Sequence, residues 1–199
     1  MGTIDDQSKD YLERLGSVFL QAGQYEDAAA AFDNALDIDP DNDSAWYLKG
    51  VSLTALGRYE EALLAYDKAI EINPSGAHVW NAIGITLRLL EKFNEAISYF
   101  DKAIDLDPNV FAIWFNQGDL FGELGKYEQA LYCYNKALEL KSDSIPAWRN
   151  KGMCMAALGR YREAISCFNK VLQLDPSDQD AISRRKHLLA ILRDQSQAS

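Results

Sequence analysis

The chain has 199 residues, of which 48% are hydrophobic and 25% are charged, and its formal net charge is −10 at pH 7. This composition is typical of a folded protein in water rather than a disordered or membrane-embedded chain, and the acidic balance disfavours nucleic acid as a partner because it repels phosphate. The three cysteines form no C-x-x-C pair, which argues against a disulfide framework and a structural zinc site.

The amino terminus gives no sign of a signal peptide or a membrane segment. Residues 1–10 carry three acids and no apolar core, and no stretch of the chain approaches the roughly 20 uncharged apolar residues of a membrane span. We therefore expect residues 1–8 to be disordered, the protein to be cytoplasmic, and a membrane not to be among its partners.

From Lys9 the sequence repeats itself every 34 residues. Leu-Gly-Arg-Tyr occurs at 56–59 and at 158–161, and Leu-Gly-Lys-Tyr occurs at 124–127. Such a period is typical of helical repeat proteins. We predict five repeats and number the positions within each from 1 to 34. The repeats span residues 9–42, 43–76, 77–110, 111–144 and 145–178.

Each repeat is predicted to form two helices that pack closely. Position 8 is always glycine, position 20 is always alanine, and position 24 is always aromatic. Positions 4, 8 and 11 lie on one stripe of the first helix, and positions 20, 24 and 27 lie on one stripe of the second. The small residues on these stripes allow the two helix axes to approach, and the large residues fill the remaining space. The large residues at position 24 are Phe32, Tyr66, Phe100, Tyr134 and Phe168.

Glycine and proline mark the ends of these helices. Position 15 is glycine in four repeats, which suits the left-handed conformation that ends a helix, but Glu91 stands there in the third repeat. Position 32 is proline in four repeats and Ser142 in the fourth, and it ends the second helix. After the fifth repeat, residues 179–193 are predicted to form a capping helix, and residues 194–199 to be disordered.

Over residues 9–178 the chain resembles the tetratricopeptide repeat family, through tryptophan at position 4, glycine at 8, alanine at 20, an aromatic residue at 24 and proline at 32. The tryptophans are Trp46, Trp80, Trp114 and Trp148. The resemblance implies an all-α fold, a right-handed superhelical α-solenoid of tandem helix-turn-helix repeats. It also implies a function in holding another polypeptide.

The same resemblance implies that first helices line a concave groove in which a peptide binds. Reading the groove positions in this sequence gives ten candidate binding residues: Tyr47, Val51, Asn81, Ile85, Phe115, Asn116, Asp119, Arg149, Asn150 and Met153. Tyr47 and Phe115 are expected to anchor apolar side chains, and the asparagines to hold a peptide backbone. Arg149 is expected to meet a carboxylate of the ligand, and Asp119 a basic residue.

Two features of the groove have alternative interpretations. Asn116 and Asn150 both stand at position 6, which resembles the asparagine ladder of some relatives but is equally explained by two exposed polar residues. The lysine, arginine and asparagine set with which some family members bind chaperone carboxyl termini is not supplied by any three consecutive repeats, so we do not expect that ligand.

We expect a protein-binding scaffold and no enzyme, cofactor or metal site. The only histidines, His78 and His187, stand in different repeats, so no general base is paired with a nucleophile. The alternative is a structural protein that assembles with itself through its terminal helices, giving a homo-oligomer. This alternative rests on charge, because residues 1–42 have net charge −8, residues 43–144 net −6, and residues 145–199 net +4. It also rests on Leu189 and Leu192 of the capping helix, which are expected to keep an apolar face that another copy could bury.

Overall fold

The computed structural model describes residues 4–197, which form eleven α-helices and no strand. The helices are α1 (Ile4–Gln21), α2 (Tyr25–Ile38), α3 (Asp43–Ala55), α4 (Tyr59–Ile72), α5 (Ala77–Leu89), α6 (Phe93–Leu106), α7 (Phe111–Glu123), α8 (Tyr127–Leu140), α9 (Ile145–Ala157), α10 (Tyr161–Leu174) and α11 (Gln179–Gln197). From α3 onward the first helices begin 34 residues apart, and α11 begins one further period after α9. The all-α fold of tandem helix-turn-helix repeats is confirmed.

The helices at both ends are longer than the sequence suggested. Residues 4–8 belong to α1 and residues 194–197 belong to α11, although both segments were expected to be disordered. Neither segment contains proline or glycine, so nothing stops the adjoining helix from continuing. Residues 1–3 and 198–199, the rest of the predicted disordered ends, lie outside the described residues.

The chain divides into two compact units, one ending at Asp107 and the other beginning at Pro108. The first unit contains α1 to α6, and the second contains α7 to α11. Within each unit the two helices of a repeat pack against each other, and the second helix of one repeat packs against the first helix of the next: α2 on α3, α4 on α5, α8 on α9 and α10 on α11.

The glycine at position 8 makes room for the aromatic ring at position 24 of the same repeat. A Cβ atom placed on Gly84 would lie 2.8 Å from the ring of Phe100, which is closer than side chains come to each other, and the other repeats have the same arrangement. The five aromatic rings are buried, as are the five alanines at position 20. Close helix packing therefore explains both small positions, as the sequence predicted.

The turn between the two helices of a repeat has a left-handed residue at position 15. The four glycines there have φ between 70° and 75°, and Glu91 adopts the same conformation with φ of 58°. A residue with a Cβ atom is strained in this conformation, whereas glycine is not. The third repeat thus keeps the turn geometry at a conformational cost that the others avoid.

Each tryptophan at position 4 makes a hydrogen bond that the sequence did not suggest. Its indole N–H donates to the main-chain carbonyl at position 32 of the preceding repeat, six residues earlier, where the last helix has ended. The pairs are Trp46 with Pro40 (2.8 Å), Trp80 with Pro74 (2.9 Å), Trp114 with Pro108 (2.8 Å) and Trp148 with Ser142 (2.9 Å). Because the acceptor is a main-chain atom, the bond survives the replacement of proline by Ser142.

Candidate functional site: first-helix surfaces

The ten predicted binding residues lie on the first helices of four repeats. Tyr47, Val51, Asn81 and Ile85 are on α3 and α5 of the first unit, and the other six are on α7 and α9 of the second unit. Nine are half-buried, and Met153 is 41% exposed. They therefore form two surfaces, one on each unit.

In the first unit, Tyr47 packs against the rings of neighbouring helices. Its ring centroid lies 4.6 Å from that of His78 on α5, edge to face, and 6.1 Å from that of Tyr66 on α4. Burial raises the pKa of the Tyr47 hydroxyl. Tyr47 therefore packs within the protein and bridges three helices, and its predicted role as an anchor for a ligand stays a prediction.

The hydroxyl of Tyr66 is held between the second and third repeats. It lies 3.1 Å from Oγ1 of Thr54 on α3, which in turn lies 3.1 Å from Oγ1 of Thr86 on α5. Thr86 donates to the carbonyl of Ala82 at 2.9 Å, so the chain of hydroxyls ends on the main chain. Burial raises the pKa of Tyr66 to about 12.

In the second unit, Phe115 also packs within the protein. Its ring stacks on that of Phe111, one turn earlier on α7, with centroids 5.5 Å apart, and lies 6.1 Å from the ring of Tyr134 on α8. Both predicted aromatic anchors thus have a structural role in addition to any role in binding.

Asp119 is the centre of a hydrogen-bond network that joins three helices. Its Oδ1 atom accepts a hydrogen bond from the hydroxyl of Tyr134 at 2.7 Å and another from Nδ2 of Asn150 on α9 at 2.8 Å. Burial and the neighbouring Asp119 carboxylate raise the pKa of Tyr134, and the same two causes raise the pKa of Cys154 to about 11. Two predicted ligand-binding groups, Asp119 and Asn150, therefore bind each other.

Arg149 is also engaged within the chain. Its guanidinium donates a hydrogen bond to Asp178, which precedes α11, and its Nε lies 3.6 Å from a carboxylate oxygen of Asp180. Asp178 caps α11 by accepting a hydrogen bond from the N–H of Ala181 at 2.9 Å. That bond and Arg149 lower the pKa of Asp178. Arg149 is therefore already paired with carboxylates at the start of α11, and its role in binding a ligand carboxylate stays a prediction.

The second unit contains a pocket of about 580 Å³ that three first-type helices, α7, α9 and α11, help to form. Three predicted residues line it: Asp119, Asn150 and Met153. Sequence reasoning missed the rest, which are Gly122, Glu123, Tyr127, Tyr134, Cys154, Ala156, Ala157, Phe168, Arg184, His187 and Leu188. A volume of several hundred Å³ is typical of ligand pockets.

Small residues at position 12 line this pocket. Gly122 and Ala156 stand at that position in the fourth and fifth repeats, where the second and third repeats have Thr54 and Arg88. A Cβ atom on Gly122 would lie 3.6 Å from the Tyr134 hydroxyl oxygen and 4.0 Å from Sγ of Cys154, which is ordinary van der Waals contact without a clash. This difference in size is a sequence signal from which the pocket could have been predicted.

The lining of the pocket combines apolar side chains with polar and charged ones. Met153 and Leu188 are apolar, α7 supplies Asp119 and Glu123, and α11 supplies Arg184 and His187. Within residues 4–197, no group of three His, Cys, Asp or Glu side chains is placed to hold a metal ion. Among the same residues, no helix is long and apolar enough to cross a membrane.

Helix pairs on a 34-residue period, closed by a left-handed turn and packed through glycine and aromatic residues, define a helical repeat protein. Three models described as tetratricopeptide repeat match residues 13–77, 76–143 and 123–188. The chain belongs to the tetratricopeptide repeat family, and the resemblance seen in the sequence is confirmed. A comparison with curated proteins finds no match.

Several solved structures share this fold. PilF from Pseudomonas aeruginosa is 22% identical with a TM-score of 0.84, and the match covers 98% of this chain and 88% of that one. YrrB, described as a tetratricopeptide repeat protein with an unusual peptide-binding site, is 22% identical with a TM-score of 0.69, covering 88% and 90%. MamA from Desulfovibrio magneticus RS-1 is 18% identical with a TM-score of 0.74, covering 86% and 97%. At these levels of sequence identity, the similarity to the three structures shows a shared fold and nothing further.

Proposed function

We propose that this protein is an interaction scaffold that binds a segment of a partner protein on its first-helix surfaces, with the pocket of α7, α9 and α11 as the main contact. The observation that carries the proposal is the pocket itself, whose lining combines apolar side chains with polar ones. Interface hot spots are typically desolvated pockets that receive one apolar side chain, surrounded by polar contacts.

The bound segment inserts an apolar side chain beside Met153 and Leu188. Asn150 lines the pocket and Asn116 lies half-buried on α7. An amide can both donate to and accept from a peptide main chain, and the amide of Asn150 can do so beside its bond to Asp119. In the first unit, Val51, Asn81 and Ile85 form a second contact surface around the packed ring of Tyr47. YrrB, which shares the fold, is described as having a peptide-binding site, and this supports a peptide as the ligand.

The proposed function is binding without catalysis. Among the described residues that line the pocket, Cys154 is the one with a thiol. Its pKa of about 11 keeps this thiol protonated at neutral pH. A protonated thiol is a poor nucleophile. The thiols of Cys133, Cys154 and Cys167 are free, as is usual for proteins in a reducing compartment, and we propose a cytoplasmic location on this ground.

The test selects ligands from a displayed library of random peptides on the full chain and then measures their affinity for two variants. Gly122→Leu fills the pocket and, because leucine favours a helix more than glycine does, should fold at least as well. We expect it to weaken binding at least tenfold. Gln129→Leu, which adds the same side chain at an exposed site on α8, serves as the matched control and should bind normally.

Two results would contradict the proposal. If Gly122→Leu bound every selected peptide as tightly as the wild type, the pocket would not be the binding site. If the library gave no peptide that binds the folded chain, peptide binding itself would be wrong.

A further inference from the structure

Asp119 brings to the pocket a negative charge that is bonded to neutral groups only. Its half-buried carboxylate accepts hydrogen bonds from the Tyr134 hydroxyl and the Asn150 amide, and both bonds go to Oδ1. Within residues 4–197 no basic side chain forms an ion pair with it. A carboxylate offers about four acceptor sites on its two oxygens, so Oδ2 of Asp119 can accept from a ligand.

The charge of Asp119 acts on other groups that line the pocket. Burial is the larger cause of the raised pKa of the Cys154 thiol, about 11, and the Asp119 carboxylate is the second. The same two causes, in the same order, raise the pKa of the Tyr134 hydroxyl. A negative charge that opposes the ionisation of a thiol and a phenol favours a cation placed beside them.

The basic side chains that line the pocket do not cancel this charge. Arg184 on α11 is already paired, because its Nε lies 2.8 Å from each carboxylate oxygen of Asp180, one turn earlier. His187 is exposed to water, which screens its interactions. Glu123 stands one turn after Asp119 on the same face of α7 and adds a second carboxylate to the lining. The pocket is therefore complementary to a positive charge.

We propose that the partner segment carries an arginine or lysine beside its apolar residue, and that this basic side chain binds Oδ2 of Asp119. This inference rests on the proposed function, because it names the ligand chemistry of the same pocket. A volume of about 580 Å³ lies in the range of pockets that hold drug-sized ligands, so it accommodates more than one side chain. The aliphatic stem of the basic residue covers apolar surface while its charged end reaches the carboxylate.

The first experiment uses the peptides selected on the full chain from the displayed random library. We expect arginine or lysine to be enriched, and acidic residues depleted, among the peptides that lose affinity for Gly122→Leu. The tightest of these peptides is then synthesised in two forms, one with its basic residue and one with glutamine in its place. The glutamine form should bind the wild type about tenfold more weakly, because a charge-assisted hydrogen bond is lost.

The second experiment removes the charge from the protein instead. Asp119→Asn keeps an oxygen that can accept from Tyr134 and Asn150. It should bind the basic peptide about tenfold more weakly than the wild type does, and the glutamine form about as well, so the two changes are not additive. Asp143→Asn, the same substitution at an exposed site between α8 and α9, is the matched control and should bind both peptides like the wild type.

The outcomes separate this inference from the proposed function. If the pocket-dependent peptides carried no basic residue, or if the glutamine form bound the wild type as tightly as the basic form, the inference would be wrong while the pocket remained the peptide site. The glutamine substitution weakening binding equally in the wild type and in Asp119→Asn would also overturn it, because the basic residue would then bind elsewhere. Normal binding of every peptide by Gly122→Leu would overturn the proposed function, and this inference with it.

Discussion

The hydroxyl of Tyr134 donates a 2.7 Å hydrogen bond to Oδ1 of Asp119, the same oxygen that accepts the amide of Asn150. One carboxylate oxygen thereby joins α7, α8 and α9 at the edge of the pocket. Phenylalanine stands at the equivalent position in the first, third and fifth repeats, so the tyrosine ring fits the core without this bond.

We expect Tyr134→Phe to lower the free energy of unfolding by about 2 kcal/mol, because the lost hydrogen bond goes to a charged acceptor. Urea unfolding measures this change, and a double-mutant cycle with Asp119→Ala should give a coupling energy of at least about 0.5 kcal/mol. Tyr132→Phe, at an exposed site on the same helix, is the control. Equal stability of Tyr134→Phe and the control would mean that the network does not stabilise the fold.

Glu91→Gly should stabilise the protein. Glu91 has φ of 58° and an exposed side chain, so glycine relieves backbone strain without removing a buried contact. The expected gain is about 1 kcal/mol in thermal or urea unfolding. Gly57→Ala provides the reverse test, since a Cβ atom there meets nothing within 4 Å and φ alone opposes it. A loss of stability in Glu91→Gly would show that the glutamate has a favourable role.

Alkaline pH should destabilise the protein through Tyr66. Burial raises the pKa of its hydroxyl from 10.0 to about 12. The stabilising effect of this raised pKa is complete below pH 10 and is lost as pH rises toward the folded value, at roughly 1.4 kcal/mol per pH unit. Tyr66→Phe should therefore be less stable than the wild type at neutral pH, because it lacks the bond to Thr54, and should lose less stability on going to pH 12. If the wild type and Tyr66→Phe lost the same stability on going to pH 12, ionisation of Tyr66 would not be the cause of the alkaline loss.

Asp178 should stabilise the start of α11 in two separable ways. Asp178→Asn keeps an acceptor for the N–H of Ala181 but removes the charge opposite Arg149, whereas Asp178→Ala removes both. We expect the alanine variant to lose about 1 kcal/mol more than the asparagine variant, seen as faster amide exchange along α11. Equal exchange in the two variants would exclude the cap as the cause.

The acid dependence of Asp178 has a definite sign. Its folded-state pKa is lowered, so its contribution is present above the unfolded pKa and disappears as pH falls through the folded value. Asp178→Asn should lack this acid-dependent loss of stability, and acid titration of the unfolding midpoint measures the difference from the wild type.

The fold could be predicted well from the sequence, because each residue that recurs in the repeats is needed for a particular contact or turn. Gly84 faces Phe100, Gly57 adopts a left-handed turn, and the 34-residue period follows from such contacts. The bond from Trp148 to the carbonyl of Ser142 was not predicted, because tryptophan at position 4 is explained equally well by its size.

The candidate site was predicted less well, because its polar residues bind partners on other repeats. Arg149 is paired with Asp178 and Asp119 with Asn150, and neither pairing follows from a helical spacing. A signal was nevertheless present. The two repeats with tyrosine at position 24 place a polar partner for its hydroxyl on the first helix, Thr54 in one and Asp119 in the other.

The indole hydrogen bonds also bear on the order in which the chain folds. Each closes a loop of only six residues, yet it joins the end of one repeat to the start of the next. Closing so short a loop costs little chain entropy, so a junction can form before the aromatic core on either side of it is packed. Contacts of this kind give the protein a low contact order, which is associated with fast folding. We therefore expect each of the junctions at Trp46, Trp80, Trp114 and Trp148 to form through contacts that are local in the sequence.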